Sequence, residues 1–305
     1  MTADFRSSRR PSSRLKQDQP KPSFKTYYSL IKPGIVYANV LTGTAGYLLA
    51  SKWQLKLGQF LALIIGMSLL IGAACIFNNV LDRRIDERME RTKKRAIVTG
   101  QVSIRHALSL GLVMLVIGLI VLSGTNKLTL LIGILAVVFY VIIYGFAKRH
   151  SVYSTLVGTL PGAASLVAGY TTFTNKLNFA CVLLLALMIC WQMAHFYAIA
   201  IYRLSDYKEA NLPLWPIKRG LASTVKQIRF YAFSLIIVSA LLSFFGYSGY
   251  SFLGVMVVIG SYWLHLAYKP VDSSNATAWA KKVFIASLAI LLIMAVMLPV
   301  SRLIV

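Results

Sequence analysis

Apolar runs of membrane-crossing length recur from about residue 34 to the end of the chain, with no long polar gap between them. Inside hydrocarbon a segment must satisfy its own backbone N–H and C=O groups, so a chain built of such runs folds as α-helices. A helix rises 1.5 Å per residue and needs about 20 residues to cross a core of about 30 Å. The runs predict spans at roughly 34–50, 59–81, 106–123, 128–146, 153–172, 178–201, 228–246, 251–268 and 283–301. The expected fold class is therefore all-α, a polytopic membrane bundle of about nine transmembrane helices. Composition agrees: 57% of the 305 residues are hydrophobic and 13% charged, too apolar for a soluble domain.

The length alone admits two domains, but the unbroken succession of runs predicts one transmembrane domain over 27–305. Residues 1–26 form a polar tail rich in Ser, Pro, Arg and Lys. No apolar stretch follows its first basic residues, so it is no secretory signal. It reads as a disordered basic segment lying near anionic lipid, and Asp4, Asp18 and its three prolines weigh against a transit peptide.

The net charge of +23 suggests nucleic acid, but the cations sit in short loops between apolar runs, so no nucleic-acid partner is expected. One set of alternate loops, with the tail, holds all nine acids. The other set holds only five of the 32 cations: Lys52, Lys56, Lys127, Lys176 and Arg302. The positive-inside rule then puts the N-terminus in the cytoplasm and the C-terminus outside. Cys75, Cys181 and Cys190 lie within apolar runs without metal-ligand spacing and read as buried thiols.

The second run ends in Asn78-Asn79-Val80-Leu81-Asp82-Arg83-Arg84-Ile85-Asp86. Asn78, Asp82 and Asp86 are four apart, and each step of four turns about 40° past a full circle and rises about 6 Å. The three oxygen-bearing side chains therefore share one drifting stripe. Hard oxygens suit Mg²⁺, which usually keeps waters and bridges to phosphate. Arg91, Lys94 and Arg95 follow at once and can hold the rest of an anionic group. An interfacial charged loop that only anchors a helix is the plainer reading; the Asn/Asp/Asp spacing favours a metal diphosphate. Asp206 follows the sixth span as Asp82 and Asp86 follow the second, and spans of equal parity end on one face. Asp206 can therefore meet the first acids there and is the better-supported further metal ligand, with Glu209 only a possible helper. Lys148 and Arg149, in the loop after span four, signal topology or approach the same diphosphate.

Asn78-x-x-x-Asp82-x-x-x-Asp86 resembles the first aspartate-rich motif of the intramembrane aromatic prenyltransferase superfamily, and the string from Asn78 to Ser103 is similar to its heme-farnesylating branch. So are Lys32-Pro33-Gly34-Ile35 with Asn39, Tyr144 to Tyr153, and Gly158-Thr-Leu-Pro161-Gly162-Ala163. Trp191-Gln192-x-x-His195-Phe196 resembles the branch most specifically, although Ala194 stands where the branch usually has Pro, which predicts a less kinked helix. Ala210 stands where the superfamily often has a second Asp, and Tyr202-x-x-x-Asp206 precedes it.

The resemblance implies an Mg²⁺-dependent transferase of the bacterial cytoplasmic (inner) membrane that joins farnesyl diphosphate to heme b, giving heme O on the cytoplasmic side. It implies acceptor contacts at Trp191, His195 and Tyr202. His195 would serve as iron ligand, propionate contact or proton donor, or is simply a satisfied core residue. Heme-copper oxidase assembly factors are among the partners implied. A quinone-precursor prenyltransferase and a transporter are the rival readings. Further expectations are a small-residue packing face at Gly158, Gly162 and Gly169, an interruption at Pro161, and a capping loop over 211–220.

Overall fold

The computed structural model describes residues 22–303, and every regular element in that range is helical. The elements are α1 (Phe24–Leu30), α2 (Pro33–Ser51), α3 (Leu57–Leu81), α4 (Arg83–Asp86), α5 (Ile104–Ser123), α6 (Lys127–Val138), α7 (Tyr144–His150), α8 (Ser154–Thr174), α9 (Phe179–Tyr202), α10 (Leu204–Glu209), α11 (Trp215–Phe244), α12 (Tyr250–Tyr268) and α13 (Ala276–Val300). A π turn at Phe139–Ile143 joins α6 and α7 into one rod. Polar caps set several starts. Ser103 accepts from the His106 N–H at 3.2 Å, and Asn126 accepts from the Thr129 N–H at 2.9 Å.

Among the described residues seven helices are long and apolar enough to cross a membrane: α3, α5, the α6–α7 rod, α9, α11, α12 and α13. The other two long helices, α2 and α8, are 19 and 21 residues long and richer in small and polar residues. Their packing explains that composition. A methyl group on Gly169 would stand 1.9 Å from the Gly43 carbonyl oxygen, and one on Gly46 would stand 2.1 Å from that of Leu166. The two backbones touch, which only small residues permit. Gly158 and Gly162 instead make room for the side chains of Tyr144 and Gln192, so small residues on α8 admit close neighbours along its length.

α9 forms the centre. Its buried side chains run from Ala180 to Ile201, and it packs on α8, α11 and α13. α13 also packs on α2, closing the bundle around α9. Trp263 and Trp279, fully or nearly buried, donate their indole N–H groups to the Val283 and Leu266 carbonyls at 3.0 Å each, pinning α12 to α13.

Several local expectations change. Pro161 lies inside an unbroken α8 rather than interrupting it. The capping loop shrinks to 211–214, because Trp215 and Pro216 start α11, where Pro suits the first turn, and the chain kinks at Gly220 (φ 79°). The polar tail stops earlier than residue 26. Ser23 and Thr26 cap each other's backbone N–H groups, which starts α1 at Phe24. Residues 1–21 of that tail lie outside the described residues. α9 runs unbroken through Ala194, as the missing Pro predicts.

Candidate functional site

α3 ends at Leu81, yet its hydrogen bonding continues. The Asp82 N–H donates to the Asn78 carbonyl and the Asp86 N–H to that of Asp82, both at 2.8 Å. The four-residue steps therefore stay on one helical stripe, and all three side chains are at least 97% buried. Buried carboxylates need counter-charge. Lys148 Nζ lies 2.7 Å from Asp82 Oδ2, Arg149 Nη2 lies 3.5 Å from Asp82 Oδ1, and Arg95 Nη1 lies 2.5 Å from Asp86 Oδ2. Lys32 Nζ donates to Asn78 Oδ1 at 3.1 Å. Each member of the ladder thus holds a protein cation.

Lys32 sits between α1 and α2 with φ 52°, a left-handed conformation rare for a residue with a side chain. That turn aims its ammonium inward, and burial pulls its pKa down from 10.5 to about 8, opposed in part by Cys75 and Asp86 and aided by Arg95 and Lys148. Beside it lies a cavity of about 440 Å³ whose lining includes Lys25, Lys32, Asp86, Arg91, Lys94 and Arg95. Five cations and one acid around this cavity suit an anion. Asn79 lines the same cavity and donates to the Leu30 carbonyl at 2.9 Å, holding α1 over it.

Asp206, on α10, is 92% buried, and its carboxylate has no ion pair or hydrogen bond among the described residues. Ile85 and Met89 pack with Ala200, Tyr207, Ala210 and Leu212, so the segments after α3 and α9 meet at one end of the bundle. Among the described residues no three His, Cys, Asp or Glu side chains converge tightly enough to hold a metal by themselves. Mg²⁺ commonly takes only one or two carboxylates and completes its shell with phosphate oxygens and water. A ladder of buried oxygens, Asp82 Oδ1 without a hydrogen bond, and a cationic cavity alongside fit a metal held jointly with a diphosphate.

A second constellation links α9 to α13. Trp191 stacks on His195 at 4.8 Å, His195 meets Phe284 at 5.2 Å, and Phe284 stacks on Tyr202 at 6.4 Å. The Arg203 guanidinium covers Tyr202 at 4.4 Å. His195 Nδ1 lies 2.6 Å from Ser287 Oγ, which itself donates to the Phe284 carbonyl at 2.5 Å. With the hydroxyl proton so engaged, Ser287 accepts from Nδ1–H, and the tautomer leaves the Nε2 lone pair free. Nε2 has no hydrogen-bond partner among the described residues. Trp191 Nε1 donates to the Ser287 carbonyl at 2.8 Å, fixing the same contact from the other side.

A profile of the UbiA prenyltransferase family matches residues 39–288, the ladder and the aromatic column both included. The chain belongs to the UbiA prenyltransferase family. It is 41% identical over 281 residues to a protoheme IX farnesyltransferase of Pseudomonas savastanoi pv. phaseolicola, covering 92% of this chain and 95% of that one. It is 38% identical over 279 residues to a protoheme IX farnesyltransferase of Cronobacter sakazakii, covering 91% and 95%. Its fold is similar to a solved digeranylgeranylglyceryl phosphate synthase (TM-score 0.76, 18% identity, 92% and 99% covered). It is also similar to a UbiA homolog from Archaeoglobus fulgidus bound to GPP and Mg²⁺ (TM-score 0.71, 15% identity, 90% and 99% covered).

Within this UbiA fold the expected site residues divide. Arg91, Lys94 and Arg95 line the cationic cavity, and Lys148 reaches the ladder from α7. Arg149 pairs with Asp82 but lines a different groove, with Arg83, Arg84 and Arg88. Sequence reasoning missed Lys25 in the cavity and Phe284 and Ser287 beside His195. Lys32 stood out only as part of a resemblance. Nothing in the apolar pattern of α13 marks Ser287; only its contact across 92 residues does.

Proposed function

We propose that this UbiA-family membrane protein transfers the farnesyl group of farnesyl diphosphate to a vinyl group of heme b, releasing diphosphate and giving heme O. The observation that carries the reading is the Trp191–His195–Phe284–Tyr202 column, which joins α13 to α9, the helix that leads to the unpaired Asp206. The names of the relatives support the same acceptor. Asn78, Asp82, Asp86 and Asp206 would hold Mg²⁺, which when bound supplies Lewis-acid charge to the leaving diphosphate.

The ion pairs prepare for that exchange. Lys148 and Arg95 occupy the carboxylates until metal and substrate arrive, and can then turn to the diphosphate oxygens beside Lys32, Arg91 and Lys94. The allylic C–O bond breaks with its electron pair on diphosphate. The vinyl π electrons close the new C–C bond, the charge moves to the carbon beside the ring, and water adds there with loss of a proton. Apolar helices keep bulk water from the cation until the bond has formed. His195, its Nδ1–H held by Ser287, presents Nε2 toward the porphyrin.

Nine crossings, with α2 and α8 as the inner pair, and a cytoplasmic ladder complete the reading, in the bacterial cytoplasmic membrane. Heme-copper oxidase assembly factors would receive the product. Diphosphate release from farnesyl diphosphate by the purified chain in nanodiscs tests the acceptor. Heme b should stimulate release, chelation of Mg²⁺ should stop it, and 4-hydroxybenzoate should have no effect. Stimulation by 4-hydroxybenzoate and not by heme b would instead favour a quinone-ring acceptor.

A further inference from the structure

The segment carrying the acid ladder has a second face. Where Asn78, Asp82 and Asp86 turn inward, Arg83, Arg84 and Arg88 turn outward and stay exposed. With Arg149 they line a groove of about 530 Å³ against Asn211 and Leu212. No carboxylate lines it, and Arg83, Arg84 and Arg88 have no ion pair or hydrogen bond from their side chains among the described residues. Arg149 alone is engaged, with the Leu81 carbonyl at 2.7 Å and with Asp82. Guanidinium forks match the oxygens of a phosphate, and like charges gathered in one groove are eased by an anion.

Apart from Asn211 the rest of the groove is apolar, and part of it faces outward. Leu81 is 46% exposed and Ile104 36% exposed, both at helix ends beside the arginines. From Ile104 an exposed stripe continues down α5 through Leu108, Leu112, Val116 and Ile120 at steps of four. The rise from Ile104 to Ile120 makes that stripe about 24 Å long, more than one leaflet of a hydrocarbon core of about 30 Å. A free anion has no use for such a flank, whereas a lipid needs both parts.

We propose that this groove binds the phosphate of an anionic phospholipid whose acyl chain lies along the outer stripe of α5. The site is separate from the diphosphate cavity, because Asp86, Arg91, Lys94 and Arg95 line that cavity and none of them lines the groove. Its occupant would clamp the loop that bears the ladder from the lipid side.

The test purifies the full chain from vesicles of phosphatidylcholine and phosphatidylglycerol, removes bulk lipid with neutral detergent, and weighs the lipid retained. Wild type should keep phosphatidylglycerol in preference to phosphatidylcholine. Arg84→Gln with Arg88→Gln should lose that preference by about twenty-five-fold, at roughly fivefold per guanidinium, while still binding farnesyl diphosphate. Equal retention of the two lipids, or an unchanged preference in the double variant, would overturn the proposal. A wash with inorganic phosphate separates the two sources of the anion and needs no variant. Phosphatidylglycerol that stays bound supports a lipid site, and its complete displacement makes the groove a free-anion site and contradicts the proposal.

Discussion

Asp206 is the residue whose environment asks most for a ligand. A carboxylate 92% buried and without a partner is costly, and water or a metal must offset it. Asp206→Asn keeps the shape and removes the charge. It should cut turnover by about a hundredfold or more, as loss of a transition-state contact worth several kcal/mol does, and weaken Mg²⁺-dependent farnesyl diphosphate binding; isothermal titration and product assays check both. Ser287 acts through His195. Ser287→Ala should let the imidazole lose its fixed tautomer, lowering heme b affinity severalfold and changing the heme absorption spectrum, while Ser287→Thr restores both. A His195→Ala variant with an unaltered spectrum would remove the imidazole from the heme site altogether. Of these residues, Asp206 was legible from parity and His195 from its place late in an apolar run. Ser287 and Phe284 were not, because their meaning lies in a contact with α9 some ninety positions away.

At the scale of elements, periodicity carried furthest where helix actually continues. The steps from Asn78 to Asp86 keep their helical hydrogen bonds, so the stripe read from spacing is the stripe observed. After Glu87 the chain runs in turns as far as the start of α5, and helical spacing no longer says which cation faces where. Arg91, Lys94 and Arg95 reach the cavity from those turns, whereas Arg83 and Arg84 on α4, with Arg88 just beyond it, face the groove. α2 and α8 teach the converse. Their glycines, threonines and serines lower hydropathy because those helices face protein, so a helix can be central and yet look less like a span. Gly169→Val tests that contact. Its first added carbon would meet the Gly43 carbonyl oxygen at 1.9 Å, so the variant should lose at least about 3 kcal/mol or separate the helices, read as a fall in melting temperature in detergent.

For the whole molecule, the polar end gathers the α3–α4 ladder, the tip of α7 and α10, and the aromatic column runs from there along α9 toward the bundle interior. A cationic cavity at one end and a covered apolar interior are what an ionising allylic diphosphate requires. The acceptor is the part that the fold alone leaves to chemistry, since a quinone-ring enzyme would use the same ladder. Expression of the chain in cells that make heme b but lack heme O, followed by extraction and weighing of their hemes, addresses it directly. The account predicts a new heme heavier than heme b by one farnesyl and one hydroxyl group, absent from cells carrying Asp82→Ala. Heme b recovered unchanged from cells in which the wild-type protein is folded and inserted would contradict it.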